Sequence, residues 1–199
     1  MSGPRRSTQR RRTAETAVEV ALDLDGSGRV RTATGLPFFD HMLSQLGRHA
    51  RFDLEVDARG DLEVDAHHTV EDVGLVLGQC LAQALGDKAG VRRFASIAVP
   101  LDEALAEVAL DLSGRPYLSY QVPLPAEALP LGEPGFHPQL AEEFWRALVS
   151  TAGVTLHIGL RSGRNPHHIL EASFKGVARA LADAVRREGS SVPSTKGSL

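Results

Sequence analysis

A five-residue motif of two histidines and a glutamate occurs twice in the chain. It first reads His67-His68-Thr69-Val70-Glu71 and recurs 100 residues later as His167-His168-Ile169-Leu170-Glu171. If each motif opens a helix, its first histidine and its glutamate lie four residues apart on one face, while the second histidine points about 100° away. Imidazole and carboxylate groups at this spacing can bind a metal ion. Each motif therefore offers ligands in two directions, and two motifs suggest two metals.

Comparison of the two halves adds a further pair of candidate ligands. Aligning Leu54 with Leu156 places His41 opposite Glu143, and both side-chain types bind metals. A set of imidazoles and carboxylates without thiolates suits Mn²⁺, Fe²⁺, Co²⁺ or Zn²⁺ and argues against a structural zinc site. A two-metal centre could activate water for hydrolysis, or it could hold nitrogen and oxygen atoms of a substrate. The spacing does not separate these alternatives.

Several cationic side chains could bind an anion such as phosphate. They are Arg93, Arg115 within a Ser-Gly-Arg-Pro turn, and Lys196, which follows Ser194 and Thr195. A guanidinium group in a tight turn, with hydroxyl groups elsewhere, would make a reasonable phosphate clamp. Any one of these residues taken alone is more often a solvated charge.

The composition excludes several classes of protein. A chain of 199 residues with 42% hydrophobic content can bury the core of one compact domain or of two packed halves. Its net charge of −3 provides no basic field for nucleic acid. The single cysteine excludes an intramolecular disulfide and suits a reducing compartment. No apolar run approaches the ~20 residues that span a membrane, so we expect a cytoplasmic protein without membrane or nucleic-acid partners.

The first half reads as a series of short elements. Residues 1–12 are rich in arginine with no apolar stretch after them, so we expect a flexible basic arm and no secretion signal. The predicted elements that follow are a hairpin of strands at 16–24 and 29–34, a helix at 38–49, and short strands at 52–56 and 62–64. The first motif then opens a helix that Gly86 closes.

The second half repeats this order. Val-Ala-Leu-Asp-Leu at residues 20–24 reappears letter for letter 88 residues later, and the predicted elements after it are strands at 117–122 and 154–160, a helix at 140–149, and the helix of the second motif. The duplication predicts an α+β fold built from two copies of a βαβα-type unit, with two sheets and helices packed against them. We expect one domain at 13–190, with halves at about 13–96 and 97–190, and a C-terminal tail at 191–199.

These segments resemble the imidazoleglycerol-phosphate dehydratase family, and the resemblance runs over nearly the whole chain. The residues that carry it are 38–43, 60–62, 67–72, 113–117, 155–158, 165–168, 171–175 and 193–197. So many motifs in the same order make a chance match very improbable.

The resemblance implies a hydro-lyase that converts imidazoleglycerol phosphate into imidazoleacetol phosphate in L-histidine biosynthesis. It also implies two Mn²⁺ per active site and a 24-subunit homo-oligomer whose sites are completed between subunits. The implied metal ligands are His41, His67, His68, Glu71, His167, His168 and Glu171. Glu143 is added by the internal repeat, although many relatives carry histidine there. The implied substrate contacts are Glu15, His41, Arg93, Arg115, Ser194 and Lys196.

Several features of the reaction stay open at this point. Glu171, Glu71 and Glu15 are the candidates for moving protons, and the sequence does not choose among them. Our hypothesis is that a metal-bound imidazolate of the substrate expels the adjacent hydroxyl group. A dimetal hydrolase of phosphate esters is one alternative, and it would release phosphate. The other is a metal-assembled structural or storage shell.

Overall fold

The fold is a duplicated α+β unit, as the sequence predicted. A computed structural model describes residues 3–124 and 128–196. The elements of the first unit are β1 (Arg6–Arg12), β2 (Thr16–Asp23), β3 (Val30–Ala33), α1 (Pro37–Ala50), β4 (Asp53–Gly60) and α2 (His67–Leu85). Those of the second are β5 (Phe94–Leu101), β6 (Ala104–Asp111), β7 (Tyr117–Gln121), α3 (Leu140–Ala152), β8 (Thr155–Ser162) and α4 (Pro166–Ala184). Each unit therefore contains four strands and two helices in the same order.

The expected flexible arm at 1–12 is wrong, because Arg6–Arg12 forms β1 and pairs antiparallel with β2. The strand has no apolar alternation, but its arginines find carboxylates on neighbouring elements. Arg6 contacts Asp23 at 2.6 Å, and Arg11 contacts Asp72 of α2 at 2.7 Å. Backbone pairing with β2, together with these ion pairs, thus holds an edge strand that composition alone assigns to solvent. The boundary expected at 96/97 likewise falls inside β5.

The strand pairing also differs from the hairpin expected at 16–34. The order in the first sheet is β1-β2-β4-β3, and in the second it is β5-β6-β8-β7. β3 lies parallel to β4, and β7 lies parallel to β8, while the other pairs are antiparallel. The strand expected at 52–56 is β4, which continues to Gly60, and the residues expected as a strand at 62–64 form a turn. β4 lies between the two expected hairpin partners, and its alternating buried face continues to Ala58.

The core lies where the helices cover the sheets. α1 packs against α4, and α2 packs against α3, so each helix pair joins one unit to the other. The largest fully buried side chains include Trp145, Phe39, Phe144 and Phe174, whose burial stabilises by about 25 cal/mol per Å² of apolar surface. In the described part of the chain, no helix combines the length and the apolar character needed to cross a membrane.

Cys80 is expected to be inert in the native protein. Its side chain is fully buried on α2, its Sγ donates to the carbonyl oxygen of Val20 at 3.3 Å, and burial raises the pKa of the thiol to about 11. Since the thiolate is the reactive species, we predict no labelling by a disulfide reagent at pH 8 and labelling of one thiol per chain in guanidinium. Rapid labelling of the native protein would contradict this burial.

Candidate metal centre

Helices α1 and α4 bring together three of the candidate ligands. His41 on α1 and His167 and Glu171 on α4 each offer an atom within 4.8 Å of the others. The His167 Nε2 lies 3.0 Å from Glu171 Oε2, and the His41 Nε2 lies 3.3 Å from the same oxygen. Two imidazoles and one carboxylate that converge in this way fit a divalent cation such as Mn²⁺, Fe²⁺ or Zn²⁺. In the part of the chain that the structure describes, this is the only such convergence of three residues.

The start of α4 explains how the second motif is held. Asn165 caps the helix by accepting a hydrogen bond from the backbone N–H of His167 at 3.0 Å, and Pro166 occupies the first turn. The motif therefore begins the helix, and the four-residue spacing stacks Glu171 under His167.

Glu171 is the most enclosed carboxylate of the candidate centre. Its side chain is 12% exposed, and the Lys175 ammonium lies 2.7 Å from its Oε1. Burial raises the pKa of Glu171, but the hydrogen bond from Lys175 and those with His41 and His167 outweigh burial, so the pKa lies below its ordinary value. The group is thus an ionised carboxylate that can bind a cation or accept a proton.

The two motifs have the same local geometry. The His67 and His68 rings are 6.2 Å apart and inclined by 85°, while the His167 and His168 rings are 6.1 Å apart and inclined by 84°. Adjacent histidines therefore face different directions in both copies, as the helical rotation per residue predicts.

The first motif does not join the His41 group. The His67 Nε2 lies 3.8 Å from Glu71 Oε2, so this pair is stacked more loosely than its counterpart on α4. Glu143 lies on α3, and its carboxylate is 3.5 Å from the Arg146 Nε. The part of the chain described by the structure thus brings together three of the eight proposed ligands, and Glu143 stays a prediction.

Two carboxylates that contact the second histidine of each motif were not predicted as site residues from the sequence. Asp61 follows β4 and lies 2.9 Å from the His68 Nδ1, and Glu103 in the β5–β6 turn lies 2.8 Å from the His168 Nδ1. The hydrogen bond with His168 lowers the pKa of Glu103 to about 2. The 88-residue offset between the halves carries Glu15 onto Glu103, and this signal could have identified Glu103.

The candidate anion-binding residues form a separate group around Asp111. The Arg93 guanidinium contacts Asp111 at 2.7 Å and donates to the Pro193 carbonyl oxygen at 2.7 Å. The Arg93 guanidinium is therefore occupied by contacts within the protein, and its hydrogen bond to Pro193 fixes the position of the segment that contains Ser194. The Arg115 side chain is 68% exposed and 3.8 Å from Asp111, which leaves it free to meet an anion.

Three further substrate candidates, Ser194, Lys196 and Glu15, lie near that group or beside the first motif. The backbone N–H of Lys196 donates to the Ser194 Oγ at 3.2 Å, so the two residues share one turn of the tail. Residues 197–199 lie outside the described part of the chain. Glu15 stands 3.8 Å from the His68 Nδ1, in the turn between β1 and β2.

The anion-binding group and the metal ligands of α4 lie at opposite ends of that helix. The Arg93 backbone N–H donates to the carbonyl oxygen of Ala184, the last residue of α4, at 2.9 Å. His167 lies at the start of the same helix, about 25 Å away at 1.5 Å rise per residue. A small molecule cannot contact both groups of one chain.

The chain is similar to one family over most of its length. A family model described as imidazoleglycerol-phosphate dehydratase matches residues 34–181. A protein of that name from Acidothermus cellulolyticus is 56% identical over 197 residues, covering 98% of this chain and 94% of the relative. Another from Gloeobacter violaceus is 51% identical over 199 residues, covering 98% of this chain and 99% of the relative.

Two crystal structures are similar to the fold described above. The imidazoleglycerol-phosphate dehydratase of Staphylococcus aureus has a TM-score of 0.81 and 37% identity, and covers 92% of this chain and 99% of its own. The enzyme of Pyrococcus furiosus, solved in complex with (S)-C348, has a TM-score of 0.80 and 35% identity, and covers 96% of this chain and 100% of its own. The similarity therefore includes both units.

Proposed function

The chain belongs to the imidazoleglycerol-phosphate dehydratase family, hydro-lyases of histidine biosynthesis, and on this basis we propose a dehydration that depends on two Mn²⁺ per active site. Imidazoleglycerol phosphate would lose water to give imidazoleacetol phosphate, in the cytoplasm. The observation that carries the metal dependence is the convergence of His41, His167 and Glu171. Other divalent metals fit the same imidazole and carboxylate donors.

The protein's own groups supply ligands and a proton acceptor. The residues that would hold the metals are His41, His67, His68, Glu71, His167, His168 and Glu171, with Glu143 as an eighth candidate. Bound Mn²⁺ would act as a Lewis acid on the imidazole ring of the substrate. Glu171 is the first candidate for the proton acceptor because it is ionised and enclosed, while Glu71 and Glu15 remain alternatives. Removal of a carbon-bound proton and loss of the neighbouring hydroxyl as water leave an enol, which becomes the ketone.

We propose that the active site is completed between chains of a 24-subunit homo-oligomer. The support is the length of α4, because Arg93 and His167 lie about 25 Å apart at its two ends. The substrate has only three carbons between its imidazole ring and its phosphate, which span less than half of that distance. In this proposal the phosphate meets Arg115, Ser194 and Lys196 of one chain while the ring meets the metal ligands of α4 of another.

The test is reconstitution of the purified protein with Mn²⁺ without oxygen, followed by an assay for imidazoleacetol phosphate and for free phosphate. We expect ketone formation that requires metal and is lost in His67→Ala and His167→Ala. His137→Ala is the matched control, because His137 is exposed and lies outside the proposed ligands. Tight Mn²⁺ binding without ketone would contradict the dehydration, and release of phosphate would identify a hydrolase.

A further inference from the structure

We propose that Glu103 and Asp61 are positioning residues, each of which holds the second histidine of one motif so that its Nε2 faces the metal. The proposal rests on the metal dependence proposed above. It concerns two residues outside the proposed metal ligands and substrate contacts, which would act through His168 and His68.

Glu103 is a fixed support for His168. It lies in the short turn between β5 and β6, where its Oε1 accepts hydrogen bonds from the backbone N–H of Asn165 at 2.8 Å and of Arg164 at 3.2 Å. Its Oε2 lies 2.8 Å from the His168 Nδ1. Because two backbone groups hold one oxygen, the other oxygen has a defined position relative to the start of α4.

This contact decides which imidazole nitrogen is available. A carboxylate beside Nδ1 favours the tautomer that carries its proton there, which leaves the Nε2 lone pair for a metal. The carboxylate also fixes the ring plane and makes Nε2 a stronger donor. The carboxylate nearest to the His168 Nε2, that of Asp102, is 3.8 Å away and 75% exposed, so it does not compete for a fixed hydrogen bond.

The first unit reaches the same result with a different residue. Asp61, directly after β4, places its two oxygens 2.9 and 3.2 Å from the His68 Nδ1. Glu15, which precedes Glu103 by 88 residues and occupies the equivalent turn, is 3.8 Å from that nitrogen and 57% exposed. Because Asp61 supports the histidine, Glu15 is not needed for this role. The two copies have therefore diverged: Glu103 is occupied by His168, whereas Glu15 keeps its proposed role in contacting substrate.

Mn²⁺ titration of the full-length protein, with the free ion measured by electron paramagnetic resonance, tests the proposal without an activity assay. We expect Glu103→Ala and Asp61→Ala each to weaken Mn²⁺ binding by about 10–100-fold, the usual effect of losing such a support. Glu103→Gln keeps one acceptor oxygen and should lose less affinity than Glu103→Ala. Glu15→Gln should lower turnover and leave Mn²⁺ affinity unchanged.

Two control variants separate positioning from a loss of local structure or of charge. Asn165→Ala removes the helix cap in the same loop but leaves the Glu103–His168 contact. Glu107→Ala removes one exposed carboxylate from β6, the strand that follows Glu103. We expect Asn165→Ala to lose less Mn²⁺ affinity than Glu103→Ala, and Glu107→Ala to retain the affinity of the unaltered protein.

The outcomes distinguish failure of this proposal from failure of the proposed function. Equal losses of Mn²⁺ affinity in Asn165→Ala and Glu103→Ala would mean that Glu103 acts only by stabilising the loop before α4, and would overturn its positioning role. Normal Mn²⁺ affinity in Glu103→Ala and Asp61→Ala, with normal binding by the unaltered protein, would also overturn it. Absence of Mn²⁺ binding by the unaltered protein would instead overturn the metal-dependent function, and this inference with it.

Discussion

Glu171→Gln is expected to lower kcat by roughly 10²–10⁴-fold, the usual contribution of a positioned proton acceptor. The amide keeps the shape of the carboxylate but cannot take a proton, and it binds a divalent cation more weakly. We place Glu171 before Glu71 as the expected proton acceptor because the side chain of Glu171 is 12% exposed, whereas that of Glu71 is 47% exposed. Its contact with Lys175 keeps the group ionised.

Steady-state kinetics at saturating Mn²⁺, together with the metal content of each variant, provide the measurement. Glu55→Gln on β4 is the matched control, because its exposed pair with Arg31 lies outside the proposed ligands. Surface pairs of this kind contribute little to stability, so this variant should keep full turnover. Near-normal turnover of Glu171→Gln with its metal retained would exclude Glu171 as the proton acceptor and move attention to Glu71 and Glu15.

The geometry within each motif could be predicted from the sequence because it depends on local structure alone. A helix that begins at His67 or His167 fixes the stacking of residues four apart and the divergence of adjacent rings. The α+β duplication was equally accessible, since the repeated strings at 20–24 and 108–112 mark equivalent strands. Both predictions required only the periodicity of helices and strands.

The remaining features depend on contacts between distant segments. Strand β1 is stabilised by partners such as Asp72 on α2, which its arginine-rich sequence does not reveal. The convergence of His41 with the second motif follows from the packing of α1 on α4, across the two units. Asp61 and Glu103 differ in type and in position relative to their histidines, so no single spacing identifies both. The local sequence thus identifies the candidate ligands, whereas their contacts with one another follow from the tertiary structure.

Gly74→Val is expected to lower the free energy of unfolding by about 1–3 kcal/mol, the usual cost of overpacking a filled interface. Gly74 lies on α2 where it meets α3, and a Cβ atom there would be 2.7 Å from the Phe144 carbonyl oxygen and 2.9 Å from the Ala147 Cβ. Backbone atoms cannot turn aside as a flexible side chain can, so the two helices must separate. For a chain of this size, the melting temperature falls by about 2–4 °C per kcal/mol.

Urea unfolding of the metal-free protein, at one fixed protein concentration, measures this loss of unfolding free energy, with Gly189→Ala as the control. A Cβ at Gly189 would meet nothing within 4 Å, and such surface changes stay within about 0.5 kcal/mol. The consequence for the candidate centre is selective, because α2 carries His67 and Glu71 while His41 and His167 lie on the other helix pair. Gly74→Val should therefore lower the Mn²⁺ affinity of the metal site that uses the first motif more than that of the site that uses the second. An equal loss of Mn²⁺ affinity at both sites would contradict this prediction, because it would mean that the change at α2 also displaces α1 and α4.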